Sequence, residues 1–162
     1  MIKKCDKIES THTVYIIFGR HTMLFGKKTS LRESIKSFEA KLKKEKYKYT
    51  VGKDGDMIYL NFNGDHYKGL SFSFIFDDDG ESVALRVFSI EEFSPAQLPQ
   101  AYEFCNRMNN EYRWLRFHID SDNELTAGMD AVITSENAGD VCCELLQRAV
   151  GIVDDVCGEL RG

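Results

Sequence analysis

Three acidic runs are the residues whose type and spacing could do chemistry: Asp54 with Asp56, Asp77 to Asp79 inside FDDDGES, and Asp120 and Asp122 with Glu124. Carboxylates are the ligands of hard cations, so runs converging at one sheet end would suit a metal-dependent enzyme. The FDDDGES stretch does not fit a helix-loop-helix calcium loop. That loop needs acidic groups at its first, third and fifth positions, glycine at the sixth and glutamate at the twelfth. With Gly80 sixth, the first position falls on Ile75. Aspartate tolerates turn geometry and glycine takes positive φ at little cost, so the stretch reads as a turn between two strands.

Other reactive residues are dispersed. The four histidines, His12, His21, His66 and His118, make no i,i+4 pair and no HExxH motif. His66 falls in a turn, and His118 alternates outward on a strand. Cys105 with His118 is the one conceivable thiolate pair, but Cys105 lies on the apolar face of a helix, where burial makes a thiol inert. The five cysteines (Cys5, Cys105, Cys142, Cys143 and Cys157) are odd in number, include an adjacent pair and form no CxxC. They read as reduced thiols of a cytoplasmic protein. Of the adjacent pair, one is expected to face in and one out. No phosphate loop, dinucleotide fingerprint or nucleophile elbow occurs, and GKDGD at 52–56 is a hairpin turn with no helix after it. No catalytic, cofactor-binding or metal residue is assigned.

The elements that would position these residues are legible from periodicity. Residues 30–44 form a helix: Leu31, Ile35, Phe38 and Leu42 share one face, Ser30 and Glu33 match a capping box, and lysines crowd the last turn. The period then drops to two. Strands are expected at 47–51 (Tyr47, Tyr49 and Val51 on one side), 57–64 (Ile58, Leu60, Phe62), 70–76 (Leu70, Phe72, Phe74, Phe76) and 83–90 (Val83, Leu85, Val87), pairing as an antiparallel meander. A helix over 99–112 starts on Pro99 and turns Tyr102, Cys105, Met108 and Asn109 inward. Strands at 114–120 and 124–134 flank the polar turn SDN. A helix over 135–161, capped by Ser135 or Asn137, carries Val141, Cys142, Leu145, Ala149, Ile152, Val156 and Leu160 as its apolar stripe. The class is α+β: an antiparallel sheet, meander plus C-terminal hairpin, packed by three helices in the order α-ββββ-α-ββ-α. Residues 29–162 make one such domain. Residues 1–28 make an N-terminal arm or short hairpin, with β-branched and aromatic residues at 13–28.

Charge and hydropathy narrow the partners. The chain has 162 residues and a net charge of −5, a balance that opposes nucleic acid. Residues 1–50 carry a balance of +8 and residues 51–162 one of −13, a polarity that suits packing between protomers. The apolar run VYIIF is only five residues long before Gly19 and Arg20, short of a secretory core of roughly 7–15. No run approaches the ~18 residues of a membrane helix. The last helix is longer than a small sheet needs for cover. A homodimer is therefore expected, through that helix or through the outer sheet face near Tyr59, Phe88 and Trp114.

The helix around LRESIKSFEAKL, the hairpin FSFIFDDDGESVALRVFS and the closing WLRFHIDSDNELTAGMDAVIT with its helix together resemble the YbjN-like family, whose fold is similar to that of type III secretion chaperones. The resemblance covers roughly residues 30–161 and leaves the N-terminal 28 outside. It implies an α+β module that often dimerises and holds another protein or acts in regulation, with no catalytic residues to carry over. The function expected is a non-enzymatic, chaperone-like or regulatory protein-binding module. The alternative is a small-molecule or metal-dependent enzyme using the acidic turns. The two separate by calorimetry. Because the acidic runs miss the calcium spacing, millimolar Ca²⁺, Mg²⁺ or Mn²⁺ is expected to leave the melting temperature unchanged. Saturating binding at 100-fold excess over Kd would add about 2.7 kcal/mol, and a shift of several degrees would favour the metal enzyme.

Overall fold

The structure, a computed structural model, describes residues 30–161. The N-terminal arm or hairpin expected at 1–28, with Cys5, His12 and His21, lies outside the described residues. Three helices and six strands follow in the expected order: α1 (Leu31–Lys44), β1 (Thr50–Val51), β2 (Met57–Phe62), β3 (Leu70–Phe76), β4 (Ser82–Glu92), α2 (Leu98–Glu111), β5 (Arg116–Ile119), β6 (Glu124–Val132) and α3 (Ala138–Arg161). The sheet is antiparallel throughout, with β6 placed between β4 and β5.

Side-chain alternation in strands sends every second residue to one face, and register aligns those residues into rows. One row runs Ile58, Phe74, Leu85, Met129; the next runs Leu60, Phe72, Val87, Ala127, Phe117. All of these are buried. The opposite face carries Met57, Ile75, Ala84 and Asp130 in one row, and Tyr59, Ser73, Arg86, Gly128 and Arg116 in another. The helices therefore all cover the first face, and their buried residues join the strands in one core.

Helix α1 lays Ile35, Phe38 and Leu42 into that core. The Phe38 ring sits 4.6 Å from Phe74 and 6.2 Å from Phe76, centroid to centroid. Burying such a side chain contributes about 1.5–3 kcal/mol. The Ser30 hydroxyl accepts the Glu33 N–H at 3.3 Å, as a cap should. Helix α3 is flanked by the sheet on one side and by α1 on the other. A Cβ on Gly139 would approach the Ser37 carbonyl to 2.8 Å, so α1 and α3 cross at a point that only glycine allows. Lys41 and Asp140 pair at 2.8 Å across the same crossing.

Five expectations are corrected. The strand expected at 47–51 is reduced to Thr50–Val51. Lys46 takes φ 61°, and the Tyr47 N–H turns back to the Leu42 carbonyl at 2.9 Å, so the helix cap extends into the expected strand. β4 continues to Glu92 because Ser89, at φ 52°, forms a bulge that shifts register between Val87 and Glu91. Tyr102 is 55% exposed rather than inward; Ala101, Cys105 and Met108 form the buried stripe of α2, and Tyr102 lies about a quarter-turn away. Cys142 and Cys143 are both buried, because α3 is covered on two sides. For the same reason Leu146, Val153 and Cys157 are buried, while Ile152 is only partly so.

The acidic turns are largely self-satisfied. In the β3–β4 turn Asp77 accepts from the Ser82 hydroxyl, and the Asp79 carboxylate takes the Glu81 N–H at 2.9 Å. Gly80 closes this turn beneath the start of α1: φ is 70°, and an added Cβ would lie 2.5 Å from the Leu31 nitrogen. The buried Ser34 hydroxyl donates to the Gly80 carbonyl at 2.8 Å. In the β5–β6 turn, the Asp120 carboxylate accepts N–H groups of Glu124 and Asp122 at 3.0 Å each and the Thr126 hydroxyl at 3.1 Å.

Two tests follow from these turns. Gly80→Ala is expected to cost about 1–3 kcal/mol through overpacking, with the positive φ adding to it. A urea midpoint indistinguishable from the parent protein would show that the turn relaxes freely. Asp120 is held below the usual carboxylate value: the Glu124 N–H lowers it most, burial opposes this next most strongly, and the Asp122 N–H and Thr126 hydroxyl lower it further. A lowered folded-state pKa gives stability that is present above the unfolded value of about 3.9 and lost as pH falls through the folded one. The melting-temperature gap between Asp120→Ala and the parent should be open near pH 7 and closed well below pH 3.9. A gap of constant size would assign the turn's stability to something other than the carboxylate.

Candidate functional site

Two of the three acidic runs come together. The β1–β2 and β3–β4 turns meet at one sheet end, where Asp54, Asp78 and Asp79 line a cleft of about 740 Å³ beside Arg32 and Lys36. Those cations oppose a second positive charge there. Asp120 lies at the other end of the sheet, since Leu125 pairs with Glu91 and Val132 with Ser82. Among the described residues no three His, Cys, Asp or Glu side chains are grouped to hold a metal ion.

The thiol–imidazole pair is not assembled. Cys105 faces the core, while His118 is exposed on β5 and pairs in register with Thr126. Burial raises the thiols of Cys105, Cys142, Cys143 and Cys157, the last to about 11. Tyr67 is pushed up to about 12, chiefly by burial and then by the Asp154 and Cys157 charges. These shifts run opposite to those of an activated nucleophile. His66, expected in a turn facing solvent, is half-exposed. Its backbone N–H donates to Asp154 at 2.9 Å and its Nδ1 lies 3.4 Å from the same carboxylate, tying the β2–β3 loop to α3.

The arrangement that the sequence reading missed is basic. β5 pairs with β6 only through Gly128, so among the described residues Met129 to Val132 have no strand on that side. Beside this free edge opens a cleft of about 710 Å³ lined by Arg86, Arg113, Trp114, Arg116, His118 and Arg148, with Asp130 and Glu144. Each element supplies its residue for a local reason. Arg86 lies flat across Gly128, where a Cβ would meet the Arg86 guanidinium at 2.9 Å, and it pairs with Asp130 at 2.6 Å. The Arg116 Nη1 donates to the Tyr112 carbonyl at 2.7 Å and to Asn109 at 3.3 Å, at the negative end of α2. Arg148 pairs with Glu144 one turn earlier on α3 and stacks 4.5 Å from the centre of the Trp114 ring. Arg113 is exposed and has no ion pair among the described residues.

The neighbouring edge is closed. The Asn109 side chain holds both backbone groups of Phe117, donating to its carbonyl at 2.8 Å and accepting its N–H at 2.7 Å. These are the outward groups that an added strand would need at that residue. Val132, at the end of β6, is 82% exposed. The only sequence signals of this cleft are the single tryptophan next to an arginine, and a glycine inside a strand.

Among the described residues no helix is long and apolar enough to cross a membrane. No curated protein matches the chain. Among solved structures, it is similar to YbjN of E. coli, described as "a putative transcription regulator": 11% identity, TM-score 0.56, covering 78% of this chain and 93% of that one. At this identity the likeness concerns the fold. The Yersinia pestis type III secretion chaperone SycH, solved in complex with a fragment of YscM2, aligns at 12% identity and TM-score 0.44, covering 74% of this chain and 98% of that one. Residues 34–161 match the YbjN family, described as "Putative bacterial sensory transduction regulator", and over that span the chain belongs to this family.

Proposed function

We propose that this chain is a non-enzymatic, protein-binding module with a regulatory or chaperone-like role, acting in the cytoplasm as a homodimer. The observation that carries this reading is the uncovered face of the sheet. The three described helices occupy the other face, and among the described residues nothing covers the row Met57, Ile75 and Ala84 with the half-exposed Phe88. A face of this kind suits contact with protein. The raised thiols and tyrosine of the core support a non-enzymatic role.

The apolar stripe of the last helix is taken up by the core. Val156 is fully buried within the chain, so Val156→Asp would place an unpaired charge in the core and unfold the protein. The outer sheet face is the surface this reading favours for the dimer. Light scattering at tens of micromolar is expected to give the mass of a dimer. Ile75→Glu is expected to give a folded monomer with a cooperative melt, since Ile75 is partly exposed in the protomer. A monomeric parent protein overturns the dimer. Tagged chain purified from its native host is expected to carry a second protein in near-stoichiometric amount, and recovery of the chain alone overturns the protein-binding role.

A further inference from the structure

We propose that the cleft beside the free edge of β6 receives an extended acidic segment of a partner protein. This deepens the protein-binding reading and rests on it. Three features of the cleft point to that occupant. The first is charge: four arginines face two carboxylates, and both carboxylates are already paired with arginines. Arg113 is left without an ion pair among the described residues, and Arg116 is held in place through one nitrogen by the end of α2. A guanidinium fixed in advance loses less entropy when it meets a carboxylate.

The second feature is shape. Among the described residues, Met129 to Val132 have no strand paired on the β5 side, a stretch of about 13 Å at strand spacing. An extended chain pairs with such an edge through its backbone and places alternate side chains on either side. β5 begins at Arg116 opposite Gly128, and the Met129 carbonyl already accepts from Arg86 at 3.2 Å, so the edge offered to a visiting segment starts at Asp130. The third feature is the wall: Trp114, 49% exposed and stacked on Arg148, gives apolar side chains a surface beside the charges.

Other occupants fit less well. The chain's own residues 1–28 hold six lysines and arginines against two acidic residues, so they are repelled by the cleft. A second copy docked by two-fold symmetry would set arginines against arginines. A nucleic acid has no peptide N–H and C=O groups with which to continue a strand edge, and the strand edge is half of what this cleft offers.

The test uses the chain's single tryptophan, Trp114, as the reporter. An unlabelled peptide alternating glutamate and valine is titrated into the full-length protein while Trp114 emission is followed. A saturable change is expected, weakened by added salt and absent with a lysine–valine peptide. Arg113→Ala is expected to lower the affinity by about two- to fivefold, as for an exposed charge pair, and Arg113→Glu further. Both variants should melt like the parent, because Arg113 is exposed. No saturable change, equal binding of the lysine peptide, or unaltered affinity in both variants overturns the proposal. So does displacement of the peptide by an RNA oligonucleotide at lower concentration. If a protein partner is captured from the host but the glutamate peptide does not bind, the cleft assignment fails while the protein-binding role stands. If the peptide binds and no partner is captured, the cleft assignment stands and the role fails.

Discussion

A sheet whose largest apolar side chains line up on one face is covered from that face, and the rest of this structure answers to that constraint. Five strands contribute to a buried row in which Leu60, Phe72, Val87, Ala127 and Phe117 stand side by side. Three helices must then share one face. Two of them, α1 and α3, come close enough that Gly139 has no room for a side chain. α2 is placed over the far end, where Cys105 and Met108 reach the same core. The Gly80 turn fits beneath α1 because Ser34 sends its hydroxyl down to meet it. Polar groups taken into such a core stabilise it only when partnered, and Ser34 is partnered.

The same constraint explains what could be read in the chain. Period-two alternation in 57–62, 70–76 and 83–87 survives intact because one face is dry and the other wet. The helix at 31–44 is equally plain, since its apolar stripe is one residue wide per turn. Three things were hidden, each for a physical reason. Lys46 and Ser89 adopt positive φ without being glycine, so neither the late helix cap nor the bulge leaves a mark in the composition. The second buried side of α3 depends on where α1 lies, which local periodicity cannot convey. The basic cleft draws on Arg86, Arg113, Arg116 and Arg148 from four separate segments, and these converge only because β6 returns between β4 and β5.

Strand length mattered more than residue type in making that cleft. β6 has nine residues and β5 four, so the sheet edge steps inward where β5 ends. The step is bordered by Trp114, which precedes β5, and by α3, which follows β6. A longer β5 would fill the gap and bury the edge. The acidic turns that first drew attention do ordinary structural work by comparison, with Asp77, Asp79 and Asp120 each binding groups of its own turn.

The placement of β6 has a consequence for how the chain reaches this state. The meander from β1 to β4 pairs near neighbours, but its last strand is completed only when Ser82 finds Val132, fifty positions later in the sequence. Closing so large a loop costs entropy before any contact rewards it, and such topologies form late. Until then β4 is an edge with Val83, Leu85 and Val87 on one side, and α1 lacks the helix that it crosses. The segment before α2 and the segment after it are each half of a core. Separated by a cut in the 93–97 connection, they are complementary fragments whose route to order is each other, and the interval before they join is when the nascent chain most needs shielding from other sticky strands.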